Sequence, residues 1–183
     1  MTAPLQVDTR ALRDALGCFA TGITVVTTSN LQGQPVGVTI NSFNAVSLEP
    51  PLILFSLARR SHCLPLFEAG QGFAVHTLRD DQKAISNRFA FSKDDPWAGL
   101  SFELDARGCP LLSGVLSIFR CNVEQIHDGG DHRIIIGRVI DFSAEVEGEH
   151  LIYFRGRYRC LSPGEEARAE VELEVDRDIW MSW

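Results

Sequence analysis

No apolar run in this 183-residue chain approaches the roughly 20 residues that a membrane-spanning helix needs. The first residues, MTAPLQVDTRALRDALG, lack the basic start and continuous apolar stretch of a secretion signal, which predicts a cytoplasmic protein. Basic clusters are missing as well. The net charge is −7 and the isoelectric point is near 5.2, with arginines scattered among acids. Nucleic acids and anionic membranes are held by massed Lys and Arg, so neither is an expected partner. The five cysteines, at 18, 63, 109, 121 and 160, are odd in number and form no CxxC pair. A disulfide framework and a structural zinc site are therefore not indicated, and buried thiols in a reducing compartment are expected. Regular βαβ alternation and a Gly-x-Gly-x-x-Gly turn are absent too, which argues against a Rossmann dinucleotide fold.

What remains is a chain of single-domain length, 45% apolar, with enough apolar residues for a core. Thr9 is placed to cap a helix from about Arg10, with Ala11, Leu12, Ala15, Leu16 and Phe19 on one face. Strands are expected at 23–28, 36–40, 52–56, 72–78, 113–125, 133–144 and 151–158, with short helices at 63–69 and after a cap at Asp80. The stretch 92–110 reads as loop, anchored by Trp97 and Phe102. Strands joined by short turns predict a mainly β fold, an antiparallel and nearly closed barrel with a few helices. From Ser162 onward the composition changes. A domain over 1–162 is expected to be followed by a tail, 163–183. VELEVDRD alternates as a half-buried strand would, and the tryptophans that follow need a surface to cover.

The stretch 37–62, GVTINSFNAVSLEPPLILFSLARRSH, carries the richest chemistry. Thr39, Asn41, Ser42 and Ser47 supply small polar groups beside accessible backbone. Ser56, Arg59, Arg60, Ser61 and His62 gather donors and positive charge where an apolar strand ends. Such a cradle suits a flat, half-apolar ligand with a phosphate, although a plain polar loop with surface arginines would read the same way.

That stretch resembles the flavin-binding segment of the short-chain flavin reductases, the reductase components of two-component flavin-dependent monooxygenases. FATGITVVTT (19–28), TINS (39–42), SLEPPL (47–52), FAVHTLRDDQ (73–82), RFA (88–90), GDH (130–132) and YFRGRY (153–158) resemble that family's motifs and follow in its order. The resemblance implies an FMN-binding split β-barrel, usually a homodimer, that passes a hydride from NADH or NADPH to FMN or FAD for a monooxygenase partner. It also implies flavin contacts at Thr39, Asn41 and Ser42, and ribityl-phosphate contacts at Ser56, Ala58, Arg59 and Ser61, with Arg59 or Arg60 giving the charge-assisted bonds; Ser47 and His62, read from the residues themselves, are expected beside them. His76 and Arg88 are expected nearby. The family most often has VNVL where this chain has Val75-His76-Thr77-Leu78, so an imidazole here could bring pH dependence near neutrality.

Hydride transfer between cofactors asks the protein for stacking and dryness more than for acids and bases. The second centre is the run 127–132, HDGGDH. Its adjacent glycines permit a tight turn but would hold a metal poorly, and no third ligand group accompanies the two histidines and two aspartates. A plain hairpin stays open beside the role that the resemblance gives Gly130, Asp131 and His132, which is nicotinamide binding with His132 as the reacting-site residue. Tyr158, like Arg157, either borders the flavin or closes the barrel.

Overall fold

The computed structural model describes residues 7–70, 72–92, 95–145 and 147–161. The expected tail strand and tryptophans lie outside the described residues. In chain order the elements are α1 (Thr9–Leu16), β1 (Thr21–Gly22), β2 (Thr24–Ser29), β3 (Pro35–Ile40), β4 (Asn44–Leu48) and β5 (Pro51–Ala58). Then come α2 (Leu64–Glu68), β6 (Phe73–Thr77), a 3-10 turn (Asp80–Gln82), α3 (Lys83–Phe91), β7 (Phe102–Leu104) and β8 (Pro110–Leu112). β9 (Ser117–Gly129), β10 (His132–Ala144), β11 (Ile152–Phe154) and β12 (Arg157–Arg159) complete the set.

Seven strands form one antiparallel sheet in the order β3-β2-β6-β9-β10-β5-β4. The sheet curls until its two ends approach. There the Ser42 hydroxyl donates to the Ser56 carbonyl at 3.2 Å and accepts from the Ser56 N–H at 3.0 Å. The result is the mainly β, nearly closed barrel that the sequence predicts.

β2 and β6 are buried on both faces, which explains their runs of Val, Thr, Phe and Ala without polar alternation. Inside the barrel, Phe55, Phe67 and Phe73 meet edge to face at 5.4–5.5 Å, beside Val26, Val75 and Ile135. The outer core packs Val25, Leu78, Leu112 and Leu151 against Phe89 of α3 and the buried Trp97. Trp97 meets Phe89 and Phe102 at 4.8 Å each, so both expected loop anchors pack here. Gly37 lets α3 lie this close. A Cβ there would stand 2.6 Å from the Phe89 ring.

Three local expectations are corrected. Asp8, not Thr9, caps α1 by accepting from the Arg10 and Ala11 N–H groups, because its carboxylate reaches them first. Arg79 rather than Asp80 caps the next segment, with the Gln82 side chain accepting from its N–H at 3.0 Å. The strand expected over 151–158 is a hairpin. Arg155 and Gly156 both take positive φ, 49° and 73°, which reverses the chain and sets Tyr153 opposite Tyr158.

His76 is fully buried in the outer core. The Leu112 N–H donates to its Nε2 at 3.2 Å, so Nδ1 carries the proton and donates to the Val25 carbonyl at 3.0 Å. Both nitrogens are spent on protein, and the expected cofactor contact is corrected to a core histidine bridging β2 and β8. Burial first, and then the charge of Arg120, hold its pKa down to about 4, against the opposing effect of the Val25 bond. The pH dependence expected near neutrality belongs to folding. Below about 6.5 the unfolded chain takes up a proton that the native core refuses, so stability falls as pH falls, by about 3 kcal/mol by pH 4. Urea unfolding between pH 7 and pH 4 should show this slope, and His76→Asn should remove it. Gly37→Ala should cost about 1–3 kcal/mol by the same measurement, through overpacking against Phe89.

Candidate functional site

β5, β10 and the tip of the β9–β10 hairpin make one end of the barrel. β10 pairs with β5 in a register that puts His132 opposite Ala58 and Ile134 opposite Ser56. β9 continues to Gly129, so the connection is the two residues Gly130 and Asp131, with Gly130 at φ 69°. A glycine is suited to that left-handed position at the first corner of so tight a hairpin.

Arg59 locks this tip to the end of β5. Its N–H donates to the Asp131 carbonyl at 2.9 Å and its Nε to the Gly130 carbonyl at 2.9 Å. Its Nη2 pairs with Asp128, which Arg133 also holds at 2.7 Å. The bond from Arg59, followed by the charges of Arg133 and Arg59, keeps the Asp128 carboxyl below its ordinary range. Asp131 is held down likewise by its 2.6 Å bond with His132 Nδ1 and then by that ring's charge. Asp131 therefore orients the imidazole. The guanidinium of Arg59 is occupied by the loop, which leaves Arg60, the other expected partner, for a phosphate. Arg60 is exposed and makes no hydrogen bond or ion pair among the described residues.

Ser61 closes the turn after β5, its N–H donating to the Ala58 carbonyl at 2.8 Å. His62 is exposed, with Nε2 3.3 Å from the Cys63 sulfur. Burial pushes the Cys63 thiol up to about 11, so it stays protonated and takes no nucleophilic part. Ser42, Ser56, Ala58, Arg59, Ser61, His62, Gly130, Asp131 and His132 thus share one rim.

Four expected residues lie elsewhere. Ser47 pairs with Leu52 at the opposite end of β5, because β4 runs antiparallel to β5 and leads away from the corner. The Thr39 hydroxyl donates to the Ser86 carbonyl at 2.7 Å, leaving only its backbone for a ligand. Arg88 donates to the Ala98 carbonyl at 2.8 Å and ties α3 to the following loop. The Tyr158 hydroxyl bonds Ser86 and Asn87 at 2.9 Å each, with Lys83 over its ring at 5.4 Å, so it closes the barrel flank.

Asn41 is exposed on a cavity of about 650 Å³ between α1 and the β11–β12 hairpin. Leu16, Phe19 and Tyr153 wall it, Arg13 and Arg155 charge its mouth, and Thr21 brings a buried hydroxyl with no protein partner. Flat apolar walls with a neutral amide and an unpaired hydroxyl fit a heterocycle with polar edges, and the rim with Arg60 fits an anion. Among the described residues no three His, Cys, Asp or Glu side chains group as metal ligands. Arg13 and Thr21 were given no site role from sequence, and Asp128 was read only as a member of the run 127–132, without its arginine partners. Asp128 was within reach, since a two-residue turn at 130–131 fixes it opposite Arg133.

The family model for the flavin reductase like domain matches residues 16–162. The chain belongs to the flavin reductase-like family. A "Probable flavin reductase" of Rhizobium meliloti is 44% identical over 179 residues, covering 96% of this chain and 56% of that protein. The chain thus spans little more than half the length of that relative. The reductase subunit HsaB of a flavin-dependent monooxygenase from Mycobacterium tuberculosis is 39% identical over 185 residues, covering 96% of this chain and 98% of that one. Among solved structures, the Streptomyces globisporus C-1027 NADH:FAD oxidoreductase SgcE6, in complex with NAD and FAD fragments, matches with a TM-score of 0.82 at 32% identity. That match covers 90% of this chain and 98% of the other. In this flavin reductase-like chain, Asp128→Ala should free the hairpin tip. The amides of Gly130 and Asp131 should then exchange with solvent about tenfold faster, with little change in melting temperature because the ion pair is exposed.

Proposed function

We propose that this chain is an NAD(P)H-dependent flavin reductase that supplies reduced FMN or FAD to a partner monooxygenase. The observation that carries the reading is the junction of the basic β5 corner with the Gly130–His132 hairpin tip on one rim, within the matched family region. When bound, the flavin accepts the hydride of the reduced nicotinamide. The protein's own residues supply place and exclusion. Ser42 pins β3 to β5 and fixes the width of the groove. Arg60 offers positive charge to a phosphate, and His62, Ser61 and nearby peptide N–H groups orient it. Asn41 presents a neutral amide to a ring edge. His132, held by Asp131, contacts the nicotinamide rather than moving a proton to the reacting carbon. Among the described residues no buried carboxylate faces the rim and the Cys63 thiol beside it stays protonated, as suits a hydride passed directly between two rings.

Two copies of the chain form a homodimer in this reading. Exposed Leu48, Ile140 and Phe142, at 71%, 49% and 67% accessibility, support it, since such side chains gain by being covered. No helix among the described residues is long and apolar enough to cross a membrane. Residues 1–162 act as the reductase domain and 163–183 as an appended tail.

NADH oxidation should depend saturably on added FMN or FAD. His132→Ala should raise the KM for NADH several-fold while changing flavin affinity less than twofold, as read by flavin fluorescence. Oxidation independent of added flavin, or a larger loss of flavin affinity than of NADH affinity, would remove this assignment.

A further inference from the structure

The small sheet has the order β1-β11-β12, so β12 is an edge strand whose outer side pairs with nothing among the described residues. Its side chains alternate: Tyr158 turns inward to the outer core, while Arg157 and Arg159 are exposed. Neither arginine has a hydrogen bond or ion pair among the described residues. The Arg155 guanidinium, at the hairpin turn, lies over the Phe154 ring at 5.2 Å. Along this open edge and the turn that leads into it, three cations thus have no ion-paired partner among the described residues.

The counterpart is in the sequence. Residues 162–183 hold five Glu and two Asp against two Arg, a net charge of −5 out of the chain's −7. Within them Glu172, Glu174 and Asp176 alternate with Val171, Leu173 and Val175, a period of two with acid on one side and apolar groups on the other. Nine residues, 162–170, separate Leu161 from this run and include Pro163-Gly164, ample for a reversal.

We infer that the open edge of β12 is a docking surface for residues 171–178 of the same chain, which add to it as an antiparallel strand. In that register the acids meet Arg157 and Arg159 across the strands, and the apolar residues lie on the Tyr158 side. Cross-strand pairs of opposite charge and matched faces are what fix a strand on an edge. An antiparallel course then carries the chain past the Arg155-Gly156 turn toward the cavity beside Asn41. The inference stands apart from the assignment of flavin reduction, since it concerns only the edge and the segment.

Hydrogen–deuterium exchange on the full chain, with and without NADH and at several protein concentrations, tests it. The amides of 157–159 and 171–178 should be protected at least tenfold over an unstructured chain, equally at every concentration. A full-length E172K/E174K/D176K variant and an R157E/R159E variant should each lose that protection, while the barrel strands stay protected. NADH oxidation by the same samples reports the flavin assignment separately. Equal exchange in the parent and both variants would overturn the inference. So would protection that rises with protein concentration, which assigns the edge to a second copy, or protection seen only with added NADH, which assigns the arginines to the nucleotide.

Discussion

The contact between Arg59 and Asp128 joins two stretches 69 residues apart, and the candidate site depends on it. It is an exposed pair, with the two side chains 47% and 69% accessible, so its net contribution to folding is small. Its value is positional. Antiparallel pairing brings the β9–β10 tip level with the end of β5, but a two-residue turn on a barrel rim can still tilt. The guanidinium bonds Asp128, and with its own N–H it also holds the carbonyls of Gly130 and Asp131. That bracing removes the tilt, and His132 inherits a fixed direction through Asp131. Specificity at such a site is set by geometry more than by strong bonds.

That rim sits on a framework rigid for a different reason. β2 and β6 are buried on both faces, between the phenylalanine cluster inside the barrel and the Phe89–Trp97 packing outside. The barrel wall cannot shift toward either side without opening a cavity in one core or overpacking the other. His76 shows how polar groups are admitted to such a wall: one tautomer, two backbone partners and no charge. The Ser42–Ser56 contact completes the closure with two hydrogen bonds from one hydroxyl.

Much of this was legible in the sequence. Strand positions followed from β-branched runs and turn residues, and the order of family motifs pointed to the barrel and to flavin chemistry. The basic corner and the GDH turn could each be named, but their junction could not, because it depends on strand register across 69 residues. Side-chain direction was the other gap. Thr39 looked like a ligand contact by its place in TINS, yet its strand parity aims it at Ser86. His76 stood in a matching motif, but parity put it in the core. Ser47 lies at the far end of β5, because a strand that leaves a site carries its later residues away. The hairpin at Arg155-Gly156 was missed because Arg155 takes a left-handed conformation that its identity does not advertise.

The exposed arginines of β12 have one more consequence. An open strand edge is where separate molecules stack into extended sheets, and proteins guard such places by keeping them short and like-charged. β12 is three residues long, with Arg157 and Arg159 both facing outward. Wherever that edge is left uncovered, two molecules meeting there would bring guanidinium against guanidinium, so the border repels its own image and keeps crowded copies from polymerising through it.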